Sequence, residues 1–280
     1  MVAAVTQRNG LGMVLEGEQT NIMARHLTNK IAKEHKENAV NSVNEYLNDL
    51  MDRDNLPKAD KLCYWIEEWV KYLAFEETFN PRSLKRYKRG EVIRANLGFN
   101  IGSEYGGLHF CVVLDKNNSP SSPVVTVVPL TSLKEGVDPN KLYPGSVYLG
   151  DQVYQKLLQK GVIAKMETIN SAMHLKNELK KTRESLDNPY PPQEGFDEWR
   201  KNTSKVLKCY EENKHLFEEI GKKLKGMKRG SIALVGQIRT ISKIRIYEPK
   251  TSKDPLSNIR ISDSDLNAID NEIRKLYTGF

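Results

Sequence analysis

The sequence predicts an α+β fold, a small sheet with helices added before, within and after it. Three observations carry that reading. Residues 89–132, RGEVIRANLGFNIGSEYGGLHFCVVLDKNNSPSSPVVTVVPLTS, hold three strand-like runs and two polar turns. A fourth such run follows at Tyr143–Leu149, and the next return only after residue 229. Before and between these groups, apolar residues recur at the three-to-four spacing of helices.

Residues 1–18 have little periodicity and two glycines by position 12, which predicts a poorly ordered start. A helix is expected from about Thr20 to Met51, with Val40, Val43, Leu47 and Leu50 on one face and Tyr46 beside them. The stretch Asp52–Pro57 breaks it. A second helix, Ala59–Glu77, places Leu62, Trp65, Ile66, Trp69, Val70 and Leu73 in a stripe that has to pack on something. The segment NPRSLKRYKR then leads into the sheet with five basic side chains.

Glu91–Leu97 alternates as a half-buried strand does, while Phe110–Leu114 and Val124–Leu130 are the near-continuous apolar runs of buried strands. Between the first two runs, Gly98–Gly107 carries four glycines, so the backbone there is free to turn tightly. Tyr143–Leu149 reads as a fourth strand. Val162, Met166, Ile169, Met173, Leu175, Leu179 and Leu186 then mark one long helix, which the proline-rich DNPYPPQEGF ends. Trp199, Val206, Tyr210, Phe217, Ile220 and Leu224 mark a return helix, and the two stripes are expected to face each other in an antiparallel hairpin. Gly230–Val235 and Arg239–Ile246 resume the sheet. Ser262, with Asp265 three residues on, caps a last helix whose inner face is Leu266, Ile269, Ile273 and Leu276.

Four blocks, RGEVIRANLG, IGSEYGGLHFCVVL, VVTVVPLTS and SIALVGQIRTISKIRI, occur in the order of the PemK/MazF toxin family, and the chain resembles that family over residues 88–149 and 229–280. The resemblance implies a small SH3-like barrel that dimerises and cuts single-stranded RNA without a metal or other cofactor. In that chemistry a 2′-hydroxyl attacks the adjacent phosphate and leaves a cyclic phosphate and a 5′-hydroxyl. The expected organisation is an N-terminal helical arm (1–80), a first barrel part (81–149), a helical hairpin insertion (150–229) and a second barrel part with the C-terminal helix (230–280).

Composition sets the outer bounds. With 280 residues and 39% hydrophobic content the chain can bury a real core as one large domain or two. It has no twenty-residue apolar run and no charged-then-apolar leader, so a soluble, cytoplasmic protein is expected, without a membrane partner. Three widely spaced cysteines fit neither a disulfide framework nor a zinc site and read as buried thiols. Residues 1–80 carry 9 basic and 13 acidic side chains, and the remainder 34 and 23. A basic body suits a polyanion, here single-stranded RNA, and equally describes solvated helix faces. The acidic arm has two readings, a packing pair and a cover over the RNA groove.

RNA cleavage through its own 2′-hydroxyl needs a base, a proton donor to the leaving oxygen, and groups that hold the phosphate. His109 is the first candidate, because an imidazole exchanges protons near neutrality. It stands where the resemblance places an arginine after the double glycine. Thr131 matches the family's catalytic threonine. Ser103 and Glu104 lie in the loop that lines the family's site, and Ser132 and Gln237 add polar groups for RNA. Arg239 reads equally as a phosphate-binding cation and as half of a barrel-stabilising ion pair. The expected partners are RNA, a protein antitoxin and a second copy of the chain. The alternative function is a binding toxin on the same fold, like the gyrase inhibitors, or an RNA binder without catalysis.

Overall fold

The computed structural model describes residues 28–186 and 196–278. The helix start expected at Thr20, the poorly ordered start expected for residues 1–18 and nearly all of the proline-rich turn lie outside these residues. By compactness the chain divides between Cys63 and Tyr64.

In the first unit, α1 (Asn29–Asp52) starts where Thr28, itself extended, accepts a hydrogen bond from the Ile31 amide at 3.3 Å. The chain reverses at Arg53–Asn55, and α2 (Leu56–Glu76) begins. Within this unit Leu50 and Ala59 are buried and Lys58 lies 5.6 Å from the Tyr46 ring, while Val40, Val43 and Tyr46 stay exposed.

In the second unit seven strands form one antiparallel sheet: β1 (Val92–Asn96), β2 (Leu108–Val113), β3 (Val124–Ser132), β4 (Ser146–Tyr148), β5 (Ser231–Leu234), β6 (Arg239–Ser242) and β7 (Ile246–Glu248). The order is β4-β5-β3-β2-β1-β7, with β6 also on β3, and the path of ladders stays open. One edge of β3 takes two partners, β6 along Val124–Val127 and β5 along Leu130–Ser132. Pro129, which has no N–H to give, falls in the gap between them.

Both faces of the sheet are buried, which is why its central strands read as continuous apolar runs. Val92, Val112, Val128 and Leu130 pack with Val153, Leu157, Ile220, Leu266 and Ile269 from the helices. Ile93, Cys111, Val113, Val125 and Val127 turn the other way and pack with Tyr87, Ile241 and Ile246. The run Arg239–Ile246, expected as one strand, is two. Ser242 accepts from the Ile244 amide at 3.4 Å and caps a short 3-10 turn, Lys243–Arg245, that carries the chain from β3 across to β1.

The helical insertion joins β4 to β5. It consists of α3 (Gln152–Leu186) and α4 (Phe196–Gly226), packed along each other. The expected facing stripe holds for α4 except at Phe217, and fails for α3 except at Leu175. Trp199, Val206, Tyr210, Ile220 and Leu224 are covered, but Phe217 is exposed and Val162, Met166, Ile169 and Met173 are 48–60% exposed. α3 instead turns Leu157, Gly161, Ala164, Thr168, Ser171 and Leu175 inward, a heptad of mostly small residues. At Gly161 an added Cβ would lie 2.9 Å from Ile220 Cγ2, so the close approach of the helices selects small side chains over large apolar ones. Lys160 anchors the base of α3 by donating to the carbonyls of Asp254, Pro255 and Ser257 at 2.9–3.0 Å.

Residues 64–76 of α2 contact the sheet through a face rotated from the expected one. The Trp65 ring lies under Gly98 and 5.3 Å from the Arg245 guanidinium, and Tyr72 accepts from Asn96 Nδ2 at 3.3 Å. Trp69, Val70 and Leu73 remain exposed. Last comes α5 (Asp263–Tyr277), capped as expected: Ser262 Oγ accepts from the Asp265 amide at 3.2 Å, and Leu266 and Ile269 are buried. Among the three thiols only Cys111 is buried, and its desolvation pushes its pKa up to about 12. Among the described residues no helix is long and apolar enough to cross a membrane.

Candidate active site

The loop between β1 and β2 is closed at its base by backbone bonds, Leu97 N–H to Gly107 O at 2.8 Å and Gly107 N–H to Gly98 O at 2.7 Å. Gly106 has to be glycine, since a Cβ there would stand 2.5 Å from the Gly98 carbonyl. Asn100 spans the loop, its amide donating to the carbonyls of Leu97 and Tyr105. This closure aims Tyr105 back over the start of β2.

The Tyr105 hydroxyl lies 3.0 Å from His109 Nδ1, and the two rings are 4.3 Å apart. The same hydroxyl approaches the Leu130 carbonyl at 3.4 Å, and Thr131 beside it acts to lower the phenol's pKa. Donor and acceptor across the 3.0 Å contact follow the imidazole tautomer. Burial lowers the His109 pKa below its ordinary 6.5. The Gly106 carbonyl works against that shift and the nearby Arg94 guanidinium with it. Burial is also the main cause that raises the Tyr105 pKa, so the phenol keeps its proton. Near neutrality the pair is therefore an uncharged imidazole beside an uncharged hydroxyl.

A cleft of 330 Å³ opens over this pair. His109, Thr131 and Ser132 line it, joined by Arg94, Tyr105 and Lys134, and Gly226, Met227 and Lys228 at the foot of the insertion form another wall. Three of the seven expected site residues thus come together. Gln237 and Arg239 stand behind Tyr105: Gln237 Oε1 accepts from the Tyr105 amide at 3.0 Å and from Arg239 at 3.3 Å, and its Nε2 donates to the Ser103 carbonyl at 3.3 Å. They brace the loop and are absent from the cleft lining. Glu104 is exposed on the loop, and its amide donates to the Ile101 carbonyl. The Arg239 guanidinium touches Gln237 rather than a carboxylate among the described residues.

Tyr105, Arg94, Lys134 and Lys228 of the cleft escaped the sequence reading. Tyr105 sits inside the quoted GSEYGG block, four residues before His109. Arg94 lies between the buried Ile93 and Ala95 of β1, and a cation within a mostly buried strand was the available signal. Among the described residues no three histidine, cysteine, aspartate or glutamate side chains converge as metal ligands.

These features define a small sheet-borne domain with an imidazole–phenol contact and cations gathered at one cleft. Residues 88–187 match the family model described as PemK-like, MazF-like toxin of type II toxin-antitoxin system. The match runs through β1–β4 and along α3, and stops before β5, β6 and β7. That description names the toxin half of a toxin-antitoxin system. No curated protein matches the chain.

Proposed function

We propose that the chain is a sequence-selective endoribonuclease toxin that cleaves single-stranded RNA to a cyclic phosphate and a 5′-hydroxyl by a route needing no metal. The observation that carries the reading is the His109–Tyr105 contact, with Thr131 in the same lining, in a cleft walled by Arg94, Lys134 and Lys228. Neutral His109 takes the proton of the attacking 2′-hydroxyl. As that oxygen bonds to phosphorus, the imidazolium so formed returns the proton to the departing 5′-oxygen. The Thr131 hydroxyl donates to a non-bridging phosphate oxygen, and Arg94 neutralises the charge that gathers there, where the family's arginine is replaced by His109. Tyr105 fixes the imidazole, and Gln237 and Arg239 fix the loop that carries Tyr105. Ser132 offers a polar contact to RNA.

Incubating the protein with single-stranded RNA in EDTA and mapping the ends tests this. Fragments with 5′-hydroxyl ends are expected; intact RNA or 5′-phosphate ends overturn the proposal. The protein is further proposed to work as a homodimer.

A further inference from the structure

A second cleft, of 710 Å³, lies against the first, and the two share Arg94, Phe110, Gly226 and Met227 in their walls. Arg94 stands on this divide. It is the cross-strand partner of Phe110, and its guanidinium lies 5.5 Å from the centre of the Tyr247 ring. It has no ion-pair or hydrogen-bond partner among the described residues. Tyr247 on β7 is 61% exposed, an aromatic ring open to solvent beside a cation.

The carboxylates of this second cleft are already engaged. Glu248 pairs with Lys223 and accepts from the Leu256 amide, Glu219 pairs with Lys222 at 2.7 Å, and Asp254 accepts from the Lys250 and Thr251 amides and the Thr251 hydroxyl. The Lys250 ammonium, like the Arg94 guanidinium, is left without a side-chain partner among the described residues. What remains free is two cations and one open ring. That is the chemistry that holds a nucleotide of an unpaired strand: a flat surface for the base and positive charge for the phosphate beside it.

The geometry points to the second cleft as a binding subsite for a nucleotide of single-stranded RNA flanking the scissile phosphate, with the base stacked on Tyr247 and its phosphate between Arg94 and Lys250. The inference rests on the nuclease reading for the strand's direction of travel, out of the His109 cleft and past Arg94. It also gives the insertion a task, because α4 supplies Glu219, Lys222, Lys223 and Gly226 to the subsite's wall. An added helical hairpin thereby lengthens the groove of a small domain.

The test uses the full chain and fluorescent 2′-O-methyl RNA of mixed sequence, which lacks the attacking hydroxyl, as a dinucleotide and as a decanucleotide. Anisotropy gives affinity for the unaltered protein, Tyr247→Ala, Tyr247→Phe and Lys250→Gln, and cleavage of ordinary RNA is followed in parallel. Tyr247→Ala is expected to weaken the decanucleotide roughly ten- to hundredfold, the worth of one stacked base. Tyr247→Phe, which keeps the ring, binds like the unaltered protein, and the dinucleotide is indifferent to all three changes. Lys250→Gln lowers the slope of log affinity against log salt by about 0.7, one phosphate contact on a single strand. Equal decanucleotide binding by the unaltered protein, Tyr247→Ala and Lys250→Gln overturns the subsite, even if cleavage is robust. The expected binding pattern without any cleavage keeps the subsite and overturns the nuclease.

Discussion

His109 is held by its surroundings in the form a base requires. Burial and the Arg94 charge both favour the neutral imidazole, so its working pKa lies below 6.5. Cleavage is therefore expected to rise with pH through a value on the acid side of 6.5 and then level. Removing the guanidinium with Arg94→Ala should move that limb upward, because one of the two causes of the depression is gone, while also lowering the rate. A pH–rate profile on both proteins reads the two effects separately. His109→Ala should cost at least about a hundredfold in cleavage rate. If that variant leaves the effect on cells unchanged, the chain acts by binding, as a gyrase-inhibitor-like toxin does, and not by chemistry. At this scale the meeting of His109 and Thr131 in one cleft was legible, because a short motif names both. Arg94 was not, because its role comes from β1 lying beside β2, a pairing that spacing along the chain does not reveal.

The helices show where periodicity misleads. The apolar stripe of α3 is real, yet it faces solvent, because the contact with α4 is too close for it. Gly161 tests that explanation. Gly161→Leu should destabilise the fold by about 1–3 kcal/mol in urea titration, as overpacked sites do. Gly221→Ala on α4, where an added Cβ meets nothing within 4 Å, should instead stabilise by up to about 1 kcal/mol. Small residues at heptad spacing were visible in the sequence, but the larger residues one step round the helix drew the assignment. The division of the expected strand Arg239–Ile246 was hidden for a similar reason. Ser242 ends β6 through its side chain, a local choice that leaves the apolar alternation intact. At the α5 start, by contrast, the cap residue announced itself, and Ser262→Ala should cost about 1 kcal/mol of stability in the same titration.

Across the whole molecule, the central strands were legible because both faces of the sheet are buried and β2 and β3 had to be apolar, whereas their order in the sheet comes from pairings the sequence does not display. Exposed apolar rows on α2 and α3 remain as surface for association. Light scattering on the purified chain is expected to give roughly twice its 32.0 kDa mass.

The strands on either side of the insertion are themselves neighbours, with Val147 opposite Ala233 and Tyr148 opposite Ile232. The chain thus leaves and re-enters the sheet at adjoining points, and a reverse turn would suffice to join them. The hairpin is in that sense a graft, rooted by Val153, Leu157 and Ile220 and otherwise free to vary in length. Excising residues 169–212 and closing the gap with a short glycine-rich turn should leave a soluble protein with a cooperative unfolding transition, whereas a cut below Leu157 should not. Between those two limits the sheet can carry extensions of other lengths and surfaces on the same stump, each reaching a different partner while the cleft beneath stays the same.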